Sequence, residues 1–300
     1  MKIFYTDHFV LPLPEGHRFP MRKYSLLREA VQTLVPNALV EAPAATDDEL
    51  CLAHDASYIE RMSEGTLSAQ EIRQIGFPWS PQMAERARRS TGATVAALKS
   101  ALEQGCSINL AGGTHHAFAD HGEGFCCYND AAVAARVAQR DCKIQRVLIC
   151  DLDVHQGNGT ASIFAGDDSV FTFSMHGEKN YPVHKARSSL DVELADGCDD
   201  DTYQAALSDH LPRIIEQFKP QAMIYLAGAD PFEGDRLGRL KLSKAGLAAR
   251  DRFVFETARD NALPVAVTMA GGYANEVADI VDIHFNTVLN ALQTFQPANL

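Results

Sequence analysis

Five short apolar runs rich in β-branched residues set the strongest limit on how this chain can fold: CSINLAGG (106–113), RVLICDLDVH (146–155), VFTFSMH (170–176), AMIYLAGAD (222–230) and PVAVTMAGGY (264–273). Continuous apolar runs without polar alternation read as strands buried on both faces, as in a parallel sheet. The segments between them carry helical periodicity. In 81–104, Met83, Ala87, Thr91, Thr94, Val95, Leu98 and Leu102 recur at steps of three or four, and Gly105 stands where a helix ends on a left-handed residue. Segments 201–218, 243–261 and 276–295 read the same way. Strands alternating with helices build right-handed βαβ units. The expected fold is one α/β domain over residues 1–300, a mostly parallel β-sheet flanked by helices on both faces, with no internal repeat and no dividing linker.

In open parallel sheets ligands bind beyond the carboxyl ends of the strands, where loops converge. Reactive groups stand at four such ends: His115 and His116; Asp151, Asp153 and His155; Asp230; and Tyr273. Asp153 and His155 flank one residue, so an extended backbone would turn both to one side of the sheet. With Asp230 they offer two carboxylates and an imidazole, a three-ligand set that leaves a coordination position open. Oxygen and nitrogen donors without sulfur fit Zn2+, and also Fe2+, Co2+ or manganese. Two carboxylates cancel the charge of a divalent ion, so water there is acidified less than at an all-imidazole site and needs a base. His115 and His116 offer imidazoles, and Asp151 and Asn158 can accept and orient their second N–H groups. Tyr273, after Gly271 and Gly272, keeps a donating hydroxyl at pH 7, suited to an oxyanion. Each feature alone has an ordinary reading, a turn, a helix cap or a solvated loop; their conjunction points to a site. Gly124 and Phe125 in GEGFCCYND (122–130), and Tyr181 beside Pro182, suit either an apolar channel or the core.

Lys plus Arg number 27 against 39 Asp plus Glu, a net charge of −12 that argues against a nucleic-acid partner and suits a cationic one. The 7 cysteines are an odd number with no CxxC, which indicates neither a disulfide framework nor a thiolate zinc site. No long uncharged apolar run exists, and Met1 to Val10 carries Asp7 and His8 where a leader needs apolar residues, so no membrane association and a cytoplasmic location are expected. DVHQGNGT (153–160) fits neither phosphate-loop pattern, which sets nucleotide binding aside.

Taken together, THHAF (114–118), GFCCYND (124–130), DLDVHQGNGT (151–160), LAGAD (226–230) and GGY (271–273) resemble, in order and separation, the motifs of the histone deacetylase superfamily, whose fold is arginase-like. Residues 233–251 are similar to its class IV. The resemblance implies a zinc-dependent amidohydrolase that removes acetyl or longer acyl groups from the ε-amine of lysine. The substrate would be a peptide or protein, with a small acylated amine as the alternative. It implies zinc on Asp153, His155 and Asp230, His116 as general base and acid, His115 as its electrostatic partner bonded to Asp151, and Tyr273 as oxyanion donor. Asn158 stands where class I members carry an aspartate, which lowers the basicity expected of His116. Leu237 stands at a channel-rim position that is glutamate in polyamine-selective members, which argues against a polyamine. Arg22, in HRFPMRKY (17–24), is expected to reach the inner cavity from which acetate leaves, and K+ to sit near Asp151, Asp153 and His155. Two rivals share the fold. A binuclear manganese hydrolase would need a further carboxylate, which a DxHxD pattern would supply where Gln156-Gly157 stands, and a silent acyl-lysine or metabolite binder would not need the whole set. Oligomeric state is left open.

Overall fold

Eight strands pair in parallel throughout the computed structural model, which describes residues 1–296. They are β1 (Ile3–Tyr5), β2 (Leu39–Glu41), β3 (Cys106–Asn109), β4 (Val147–Asp151), β5 (Val170–Gly177), β6 (Leu190–Leu194), β7 (Ala222–Leu226) and β8 (Val265–Thr268). Their order across the sheet is β2-β1-β3-β8-β7-β4-β5-β6. The five apolar runs supply β3, β4, β5, β7 and β8. The other three went unread for physical reasons. β1 and β2 are three residues long, and the edge strand β6 (LDVEL) carries two acids and is largely half-buried.

The helices are α1 (Arg22–Leu34), α2 (Asp47–Leu50), α3 (Ala56–Glu64), α4 (Ala69–Ile75), α5 (Pro81–Gln104), α6 (Asp130–Asp141), α7 (Asn158–Ile163), α8 (Asp200–Phe218), α9 (Lys244–Asp260) and α10 (Val277–Phe295). Successive strand residues feed opposite faces. Leu148 and Cys150 of β4 and Met223 and Tyr225 of β7 pack with α1, α8, α9 and α10, while Val147, Ile149, Ala222 and Ile224 pack with α5 and α6. Helix α5 begins where Ser80 Oγ accepts from Met83 N at 3.1 Å with Pro81 in the first turn, and ends at Gly105 with φ +82°. Its buried face includes Met83, Thr91, Thr94, Val95 and Leu98, each large apolar side chain contributing about 1.5–3 kcal/mol. Among the described residues no helix is long and apolar enough to cross a membrane.

The sheet order positions the site. Strands β3, β8, β7 and β4 are consecutive neighbours, so the loops that follow them, carrying His115 and His116, Tyr273, Asp230, and Asp153 and His155, emerge side by side although they are up to 158 residues apart in sequence (273 − 115).

Candidate active site

Asp153, His155 and Asp230 are buried and present donor atoms within 4.8 Å of one another. The expectation that strand pleating aligns the first two is corrected here, because β4 ends at Asp151. The aligning force is a hydrogen-bonded bend. Asp153 N donates to Asp151 Oδ1 (3.2 Å), His155 N to Asp153 Oδ1 (2.9 Å), and Val154 N to Asp230 Oδ1 (2.9 Å). Gly271 N donates to Asp153 Oδ2 at 2.8 Å. His155 Nδ1 lies 3.0 Å from Asp153 Oδ1 and 3.3 Å from Asp230 Oδ2, and that last oxygen is buried with no hydrogen-bond partner. A Cβ at Gly271 would stand 2.6 Å from Asp153 Oδ2 and closer still to Asp230, so only glycine lets this loop close over the cluster.

The electrostatics fit a cation. Burial, then the charge of Asp153, push Asp230 up to about 7. Burial opposes the charging of His155, but its hydrogen bond to Asp153 and the nearness of both carboxylates outweigh it and raise this imidazole to about 10. An orphaned buried oxygen and a proton drawn onto the imidazole between two carboxylates mark a place where a divalent ion would satisfy all three. Two oxygens and one nitrogen are the donor set.

The paired histidines are split in character. His115 Nδ1 meets Asp151 Oδ2 at 2.6 Å. Burial works against charge at His115, yet Asp151 and then Asp153 hold it up at about 9. His116 Nδ1 meets Asn158 Oδ1 at 2.6 Å, and burial with the neighbouring His115 and His155 keeps this imidazole well below its ordinary value. A neutral His116 stands beside a charged His115, their ring centroids 4.1 Å apart. The Tyr273 phenol is pushed well above its ordinary value by burial, Asp230 and Asp153, so it holds its proton.

His115, His116, Asp153, His155, Asp230 and Tyr273 line one cavity together with Phe19, Phe77, Gly124, Phe125 and Cys126, and Met83, Arg86 and Ser90 extend its wall onto α5. Of the expected channel residues Gly124 and Phe125 face it. Tyr181 and Leu237 lie outside its enclosed part. Tyr181 is 41% exposed at the mouth, its ring edge-on to His116 with centroids 5.0 Å apart, and Leu237 accepts from Asn180 Nδ2 through its backbone at 2.7 Å. Arg22 is also corrected: it is exposed, and Lys23 is the buried cation, its Nζ 3.3 Å from Ala270 O. The buried stripe of α1 is Lys23, Leu27 and Val31, a four-residue step visible in the sequence that puts position 22 on the outer side. Phe19, Phe77 and Arg86 gave no sequence signal, since each joins the cavity only through the tertiary packing of distant segments. Gln156 is buried against Ala186 and Asp191 and offers no further ligand to the cluster.

The fold with this cluster at its strand ends is the architecture of a deacetylase-type hydrolase. The chain belongs to the histone deacetylase family, whose histone deacetylase domain matches residues 17–288. It is 43% identical over 285 residues to an uncharacterized protein of Picosynechococcus sp., covering 94% of this chain and 95% of that one. Histone deacetylase 2 of Arabidopsis thaliana is 33% identical, with 83% of this chain covered, and a histone deacetylase-like amidohydrolase of Pseudomonas aeruginosa is 31% identical, with 79% covered. The match spans 66% of each of those two relatives. The HDA15 HD domain superposes with a TM-score of 0.80 at 23% identity, over 99% of this chain and 94% of that one, and so shares the fold.

Proposed function

We propose that this deacetylase-family hydrolase cleaves the amide between an acyl group and the ε-amine of a lysine in a peptide or protein. The observation that carries this reading is the placing of neutral His116 and protonated Tyr273 in one cavity with the Asp153, His155 and Asp230 donors. Those three residues would hold a divalent cation such as zinc, which when bound supplies Lewis acidity for the carbonyl and the attacking water. With Nδ1 turned to Asn158, His116 has Nε2 free to take a proton from water and return it to the leaving amine. Tyr273 donates its O–H to the oxyanion. His115, held charged by Asp151, keeps positive potential beside that oxyanion and disfavours a second resting charge on His116. Phe19, Phe77 and Phe125 give the cavity an apolar wall. An acylated lysine is neutral and can lay its stem there, whereas the freed ammonium cannot stay without an unpaired buried charge. The likeness of 233–251 to class IV and the extension of the cavity onto α5 favour testing longer acyl groups.

Lysine peptides carrying acetyl to myristoyl groups, assayed with and without a hydroxamate chelator, test the reading. Turnover of at least one acyl-lysine, abolished by the hydroxamate, is expected. Turnover of small acylated amines alone would overturn the peptide substrate, and a metal-loaded chain silent on every substrate would favour a binder.

A further inference from the structure

His116 leans on an amide, and an amide does not by itself say which of its ends faces the ring. Asn158 can present either Oδ1 or Nδ2. If Nδ2 faced the imidazole, Nδ1 would have to accept and Nε2 would carry the hydrogen, which leaves no lone pair to take a proton from water. We infer that Glu123 removes this ambiguity and is the positioning residue for the base. Glu123 Oε1 lies 3.1 Å from Asn158 Nδ2 and also accepts from the Tyr181 hydroxyl. A carboxylate only accepts, so Asn158 must turn its NH2 to Glu123 and its oxygen to His116. The His116 hydrogen is thereby fixed on Nδ1.

The backbone is built to hold this carboxylate still. Glu123 and Cys126 exchange both backbone hydrogen bonds, at 3.0 and 2.9 Å, around a turn in which Gly124 (φ +56°) and Phe125 (φ +67°) are both left-handed. Gly124 N and Phe125 N donate to Gln74 O (3.0 Å) and Ile75 O (2.7 Å), anchoring the turn to the end of α4. A Cβ at Gly124 would stand 2.7 Å from His116 Cδ2, so the turn lies directly against the imidazole. One turn therefore sets Phe125 in the cavity wall and Glu123 behind Asn158. An aspartate at 158 would need no such helper, because it accepts through either oxygen. Glu123 thus supplies the direction that the amide lacks, and through Tyr181 it ties the cavity mouth to the base.

This inference rests on the proposed base role of His116, and its test carries a readout independent of turnover. Glu123→Gln, which can donate as well as accept, is expected to lower kcat by about tenfold or more with KM changed less than about twofold, at unaltered metal content and Tm. Adding Asn158→Asp to Glu123→Gln should recover most of that loss. In the 15N-labelled chain, with the His116 signals assigned by His116→Gln, the ring should show an Nδ1–H pattern in the parent protein and an Nε2–H or mixed pattern in Glu123→Gln. A kcat within about twofold of the parent, a loss that Asn158→Asp leaves in place, or an unchanged Nδ1–H pattern in Glu123→Gln would each overturn the inference. If the parent chain turned over no acyl-lysine at all, the proposed function would fall, and the ring-nitrogen pattern would still decide whether Glu123 orients Asn158.

Discussion

At the scale of single residues, the site works by pushing neighbouring groups of the same type apart. His115 and His116 are adjacent in sequence and both buried, yet Asp151 holds one charged while burial and two nearby imidazoles leave the other neutral. Tyr273→Phe would remove the proposed oxyanion donor and nothing from the Asp153, His155 and Asp230 set. It is expected to lower kcat by about 100- to 1000-fold with bound-metal content unchanged by mass spectrometry. Asp230→Ala takes away a donor, so bound metal itself should disappear on dialysis. Gly271→Ala should act in between: its methyl would press on both Asp153 and Asp230, and metal affinity should fall by at least about tenfold while far-ultraviolet dichroism stays the same. That Asp153, His155, Asp230, His115, His116 and Tyr273 gather in one place was legible from their positions after apolar runs. The part played by Glu123 was not, because it depends on which end of an amide faces which neighbour.

At the scale of elements, the loops that carry the site are braced from behind by charges the sequence hides in ordinary helices. Arg250 of α9 is fully buried and donates to Gly228 O (2.7 Å) and Leu152 O (3.3 Å), the carbonyls just past β7 and β4, while Asp251 pairs with it and accepts from Tyr225 and Thr287. Arg250→Met leaves Asp251 buried without its cation, and a loss of about 3–5 kcal/mol in denaturant unfolding is expected. At the start of α6, His54 Nε2 accepts from Asn129 N at 2.9 Å, and burial lowers this imidazole to about 4. The unfolded chain therefore takes up this proton first as pH falls from about 6.5. Stability attributable to His54 is full above that value and declines towards pH 4, by on the order of 3 kcal/mol. His54→Gln should flatten the fall of Tm across this window; an equally steep fall would show the proton sits elsewhere. Element type was readable from periodicity for α5, α8, α9 and α10. Strand ends were overrun because Leu152, Ala227 and Met269 stay apolar and buried after the ladder stops.

At the scale of the whole molecule, a net charge of −12 bears on the proposed acyl-lysine substrate, which would be neutral at its reacting group. Electrostatic attraction then acts on what flanks the acyl-lysine. Acyl-lysine peptides with Lys or Arg neighbours should show higher kcat/KM at low salt than the same peptides with Glu neighbours. The gap should narrow as ionic strength rises to about 0.15 M. A preference that ignores salt would place the discrimination in direct contacts at the mouth, near Tyr181.

The sequence by itself determined the α/β class and most of the parallel strands, because burial on two faces and helical spacing are local patterns that a chain cannot conceal. It also carried the chemical identity of the donors and of the two histidines. Only the tertiary structure decided that β3, β8, β7 and β4 lie side by side, that Lys23 rather than Arg22 turns inward, and that Glu123 stands behind Asn158. Strand order, helix phase against a neighbour and the facing of an amide are relations between distant segments. They are settled when those segments pack, and no single stretch of sequence contains them.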